Sequence, residues 1–124
     1  YKKLPNEVGG RETTLPEEVP EEMKRLLDAY NGKETVALED ILAFHVRFER
    51  IHPFQDGNGR VGRLIMFKEC LANRVVPFII DEDLKLFYYR GLHEWDRAHE
   101  YLLDTCRTAQ DNFRAVMRYF KIEM

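Results

Sequence analysis

The stretch Ile51-His52-Pro53-Phe54-Gln55-Asp56-Gly57-Asn58-Gly59-Arg60-Val61-Gly62-Arg63 separates two runs of helical spacing and decides how the chain is read. Before it, Ile41, Leu42, His45, Phe48 and Ile51 recur on one face, which predicts a helix from about Thr35 to Ile51. Pro53 stops that helix. The residue before a proline is pushed out of the helical region, so His52 is expected at the mouth of the break. A new helix is expected to begin in the Gly57-Asn58-Gly59 turn and run to about Asn73. Val61, Leu64, Ile65, Phe67, Cys70 and Leu71 make it apolar around much of its circumference, which predicts a central position.

Outward from this break, the first nineteen residues carry Pro5, Gly9, Gly10 and Pro16 and read as loop with a short hairpin around Val8-Gly9-Gly10. Pro20, Glu21 and Glu22 suit a helix start, with Met23, Leu26, Leu27 and Tyr30 at helical spacing and Asn31-Gly32 as its end. Beyond the break, Val75 to Ile80 is a short apolar connector. Two more helices are expected, about Asp83 to Arg97 and about Glu100 to Lys121. The last turns Leu102, Leu103, Cys106, Ala109, Phe113, Val116, Met117 and Phe120 to the core. The expected fold is mainly α, a compact helical bundle with a small N-terminal β-hairpin, as a single domain over residues 1–124.

A chain of 124 residues can bury one core and not two. It begins at Tyr1 rather than Met, as a fragment lacking upstream residues would. Nineteen Lys and Arg are interleaved with twenty-two Asp and Glu, leaving a net charge of -3 and no basic stripe for nucleic acid. The apolar runs are too short for a membrane span, and no signal peptide is expected. Cys70 and Cys106 fall in helical patterns and read as reduced core thiols, pointing to the cytoplasm. The chain has no serine, which removes serine-hydrolase chemistry.

The residues Asp56 to Arg63 fit a polyphosphate. A helix start offers free backbone N–H groups, and Gly57 and Gly59 can take positive φ and let a ligand approach closely. The helix dipole supplies only about half a positive charge, so Arg60 and Arg63, three residues apart, are needed to balance a triphosphate. Asp56 beside this turn makes sense as a holder of Mg²⁺. His52, four residues earlier, is placed to act as a general base on an incoming hydroxyl.

Other readings are weaker. Gly57-x-Gly59-x-x-Gly62 fits a dinucleotide fingerprint, but helical spacing precedes it where a strand is required. His45 lies on an apolar face and reads as a hydrogen-bonded core residue. His93 and His99 do not match zinc spacing. Cys70 has no nearby cation to activate it. Trp95 and the aromatics Phe87, Tyr88 and Tyr89 read first as core.

Residues 52–63 resemble the signature of the Fic family at each of its nine defined positions: His52, Pro53, Phe54, Asp56, Gly57, Asn58, Gly59, Arg60 and Arg63. Val8-Gly9-Gly10 with Thr13-Thr14 resembles the family's flap, Val19 to Leu27 the helix after it, and Tyr88-Tyr89 with Leu92 its contact with the nucleotide base. The resemblance implies a Fic-like helical bundle that moves AMP from ATP to a target protein's hydroxyl and releases pyrophosphate. His52 would be the base and Asp56 the Mg²⁺ ligand. Gly57, Asn58, Gly59, Arg60, Val61, Gly62 and Arg63 would hold the phosphates, with Arg63 on the terminal one. Phe54 would plug the loop into the core. The flap, Val8, Gly9, Gly10 and Arg11, would line the nucleotide site and pair with an extended target segment near Val8–Thr14. Relatives of the Doc type, which phosphorylate, carry a lysine where this chain has Gly59.

Two features depart from the family's pattern. The inhibitory sequence [S/T]-x-x-x-E-[G/N] is matched neither by Thr13 with Glu17 nor by Thr14 with Glu18. The inhibitory helix then lies upstream, in a partner chain, or nowhere. The base-binding region offers Asp96 where the family often has asparagine. The oligomeric state, a homodimer included, stays open. So do removal of AMP, transfer of another phosphate-containing group, and non-catalytic nucleotide binding as alternatives to AMP transfer.

Overall fold

The computed structural model describes residues 1–121. Two short antiparallel strands, β1 (Glu7–Val8) and β2 (Arg11–Glu12), form an exposed hairpin with Val8 opposite Arg11. Its turn is Gly9-Gly10, with φ of 57° and 79°, the left-handed values that a tight hairpin turn requires. A single 3-10 turn, Pro16–Glu18, leads into α1 (Val19–Asn31). Then come α2 (Leu38–Ile51), α3 (Asn58–Ala72), α4 (Lys85–Glu94) and α5 (Glu100–Tyr119). The mainly helical fold with a small hairpin is the expected one.

The helix ends differ from expectation for local reasons. α2 starts three residues late because the Asp40 carboxylate accepts the Ala37 N–H at 2.9 Å and makes Ala37 the extended cap. α1 does stop at Gly32, but in right-handed geometry with φ -78° rather than a left-handed cap. α4 is shorter than expected at both ends. At its start, Asp81 accepts the Leu84 N–H and holds residues 81–84 as a turn.

α2, not α3, is the central helix. It buries Ile41, Leu42, Phe44, His45, Val46, Phe48 and Ile51, and it contributes to both apolar clusters. One cluster joins α2 to α4 and α5 through Leu42, Val46, Tyr88, Trp95, Leu102 and Cys106. The other joins it to α1 through Val19, Met23, Phe44 and Phe48. α3 presents Leu64 and Leu71 to solvent, 69% and 51% exposed, because its apolar residues are spread around the axis. Phe87, Tyr89, Val116 and Phe120 are likewise exposed, against expectation.

Cys70 and Cys106 are free and buried, as expected of reduced core thiols. Among the described residues, no helix is long and apolar enough to cross a membrane.

Candidate active site

The site is built where α2 stops and α3 starts. His52 caps α2 with φ 51° and ψ 61°, a left-handed conformation unusual for a residue with a side chain. The pre-proline rule correctly removes it from the helix, but the backbone turns left-handed rather than extended. This kink folds the imidazole back over the last turn, where its Nδ1 lies 3.3 Å from the Glu49 carbonyl oxygen. A carbonyl only accepts, so Nδ1 carries the proton and Nε2 keeps a free lone pair. Burial pushes the His52 pKa below its ordinary value, and the charge of Lys2 acts in the same direction. A neutral imidazole with Nε2 free is the form a general base needs.

Gly57 caps α3 with φ 75°. The first amide bond at this end runs from Val61 N to Gly57 O at 3.0 Å, so the N–H groups of Asn58, Gly59 and Arg60 lie outside the ladder. Gly59 is inside the helix and does not take the positive φ expected of it. Its smallness has another use. A Cβ there would meet the Arg63 guanidinium at 3.0 Å, and one on Gly57 would meet that of Arg60 at 3.2 Å. Both guanidiniums thus lie along the bare backbone of the turn.

The Asn58 side chain is 2% exposed and is spent on the loop. Its Oδ1 accepts the Phe54 N–H and its Nδ2 donates to the Phe54 carbonyl, both at 2.8 Å. What it offers a ligand is its backbone N–H. Phe54 packs against the α1–α2 cluster, 6.3 Å from Phe48 between ring centres. Asp56 is exposed beside the turn.

Several expected ligand contacts form a supporting layer instead. Gly62 is buried against α2, and its carbonyl oxygen lies 3.2 Å from His45 Nδ1. Tyr88 is 1% exposed, with its hydroxyl 2.5 Å from His45 Nε2. His45 is the hydrogen-bonded core residue expected, and burial drops its pKa to about 4. Val61 packs into the α1–α2 cluster. Tyr89 stays exposed and shares a shallow cavity of about 200 Å³ with Arg63, Ile80, Glu82 and Lys85. Asp96 is tied to Arg50, two residues before His52, by contacts of 2.9 and 2.8 Å. That guanidinium holds its carboxyl below the usual range, with His99 and the flap's Arg11 adding to the effect.

Sequence reasoning missed Glu49 and Lys2. Glu49 lies against Gly62 of α3, with a buried Oε1 lacking a hydrogen-bond partner among the described residues. Burial pushes its pKa up to about 7, against the opposing charge of Arg63. In the sequence it reads as one of many solvated glutamates. Lys2 is 4% exposed inside an N-terminal stretch that reads as loop. Glu49 falls on the same helical face as Leu42 and His45, a signal its charge masks, and Lys2 carries no periodic signal.

The chain is similar to known proteins of one family. The profile of the Fic/DOC family matches residues 1–70. A protein adenylyltransferase of Caenorhabditis elegans is 33% identical over 88 residues, 68% of this chain and 17% of the relative. A protein adenylyltransferase from Drosophila willistoni is 32% identical over 88 residues, with 68% and 18% covered. The chain thus spans less than a fifth of these curated relatives' length. The crystal structure of a Fic domain containing signaling protein from Bacteroides thetaiotaomicron superposes with a TM-score of 0.74 at 28% identity, covering 91% of this chain and 50% of that one.

Proposed function

Because the chain belongs to the Fic/DOC family, we infer that it is a protein adenylyltransferase that moves AMP from ATP to a Ser, Thr or Tyr hydroxyl of a target protein. The observation that carries this reading is the His52 imidazole, held with Nδ1 on the Glu49 carbonyl where α2 gives way to the glycine turn of α3. His52 Nε2 takes the hydroxyl proton as the target oxygen attacks the α-phosphorus. The bond from that phosphorus to the bridging oxygen breaks, and pyrophosphate leaves with the electron pair. The N–H groups of Asn58, Gly59 and Arg60 and the two guanidiniums neutralise the phosphates. Gly59 leaves Arg63 room to lie along the turn, where a lysine would displace it.

Mg²⁺ fits the donor set. This cation takes one or two protein carboxylates and fills its remaining positions with phosphates and water, and Asp56 is one exposed carboxylate beside the turn. When bound, the ion neutralises charge on the phosphates. The exposed hairpin Val8 to Arg11 offers main-chain groups to an extended target segment, and Tyr89 offers a ring face to the base. Two free buried thiols suit a cytoplasmic setting.

Intact-mass analysis of the protein with its target, ATP and Mg²⁺ tests the reading. A gain of one AMP that disappears in His52→Ala is expected. Full labelling by His52→Ala would end it. Release of AMP from an already modified target, with no gain on the unmodified one, would replace it by the reverse reaction.

A further inference from the structure

Lys2 is a buried cation bonded to three segments at once. Its Nζ donates to Asn6 Oδ1 at 2.6 Å, Thr13 Oγ1 at 2.8 Å and the Ile51 carbonyl at 3.2 Å. An ammonium has three protons, so its donors are fully used. Asn6 and Thr13 are the two feet of the flap hairpin, and they are stapled together: the Thr13 hydroxyl and N–H both reach the Asn6 carbonyl. Ile51 is the last residue of α2 and the immediate neighbour of His52. The Lys2 N–H also donates to Pro53 O at 2.8 Å, on the other side of His52. All three acceptors, two side-chain oxygens and one backbone carbonyl, are neutral, so no carboxylate offsets the cost of taking this charge out of water. An apolar residue would fill the same space without that cost. The α2 C-terminus, with its partial negative charge, suits a cation there.

We propose that Lys2 is a positioning residue that fixes the flap relative to the His52 imidazole, so that a target segment docked on the hairpin meets the base in register. Among the described residues the hairpin strands pair only with each other; besides Lys2, the segment entering the flap is tied to the catalytic loop by Asn6 Nδ2 on Phe54 O and by Gln55 Oε1, which accepts the Lys3 and Leu4 N–H groups. The same charge helps keep His52 neutral.

The proposal rests on the adenylyl-transfer reading for its kinetic consequence only. In the full-length protein, Lys2→Met is expected to bind ATP normally and to lose about tenfold in kcat/KM for the protein target, since small misplacements of reacting groups cost that much or more. NMR should show the flap amides Val8 to Glu12 becoming more mobile and His52 titrating at higher pH. Lys2→Arg should restore most of each property. Unchanged flap order and His52 titration in Lys2→Met would overturn the proposal, as would an equal loss of ATP affinity. If Lys2→Met does not fold, Lys2→Gln decides: it removes the charge, leaves too few donors for the three acceptors and keeps the Thr13–Asn6 staple, and unchanged flap order and His52 titration there refute Lys2's role. Should the wild type transfer no AMP, the functional reading falls while the NMR measurements still judge Lys2.

Discussion

His45 and Glu49 sit one turn apart on α2, with Nε2 and Oε1 4.0 Å from each other, and burial works on them in opposite senses. It drops the His45 pKa to about 4 and lifts that of Glu49 to about 7, so both are neutral between roughly pH 5 and 6. Below pH 6.5 the unfolded chain binds a proton at His45 that the folded chain refuses, so this residue loses stability as pH falls to about 4. Glu49 does the reverse. Its folded form holds a proton that the unfolded form releases above pH 4.5, so stability is lost as pH rises to about 7. The two slopes offset each other. Glu49→Gln should remove one of them: the variant should gain up to about 3 kcal/mol over wild type at pH 8 and show a steeper acid loss between pH 6.5 and 4. Urea melts at pH 5 and pH 8 would show it, and an equal effect at both pH values would refute the assignment. The sequence revealed His45 through its apolar surroundings and His52 through Pro53. It could not reveal Glu49, whose burial depends on Gly62 lying against it across α3.

Glycine lets the helices approach at two crossings. A Cβ on Gly62 would overlap Glu49 Oε1 and lie 3.1 Å from Phe48 Cδ1. One on Gly91 would lie 2.7 Å from the Leu102 Cα, at the packing of α4 on α5. A glutamate side chain can move aside and a backbone cannot. Gly62→Ala should therefore cost about 1–3 kcal/mol and Gly91→Ala more, as thermal melts of both would register. Helix periodicity exposed the five α-helices of the described residues but not the 3-10 turn Pro16–Glu18, and it ranked α3 above α2 because it counts apolar residues and cannot see their angular spread. The ends of α2 and α4 shifted because Asp40 and Asp81 capture backbone N–H groups that helical spacing does not weigh.

At the scale of the whole chain, two clusters share α2, and the α2–α3 junction between them carries the site. Ligand binding at that junction should stabilise the entire fold. ATP with Mg²⁺ at a hundredfold excess over Kd is expected to add about 2.7 kcal/mol, measurable as a rise in Tm. Arg63→Ala should lose most of that rise, as melts of both proteins with and without ATP and Mg²⁺ would register, because its guanidinium lies along the turn.

The left-handed backbone at His52 sets chemistry against endurance. A side chain in that conformation costs roughly 1–2 kcal/mol, a burden that the proposed base at position 52 carries and a glycine there would not. Among inactive replacements, His52→Gly should therefore outlast His52→Ala on heating, the opposite of the order these two residues show in an ordinary helix. Selection for heat resistance alone would be expected to erode the imidazole first, and its persistence in a heat-adapted variant would mark the reaction as still in use.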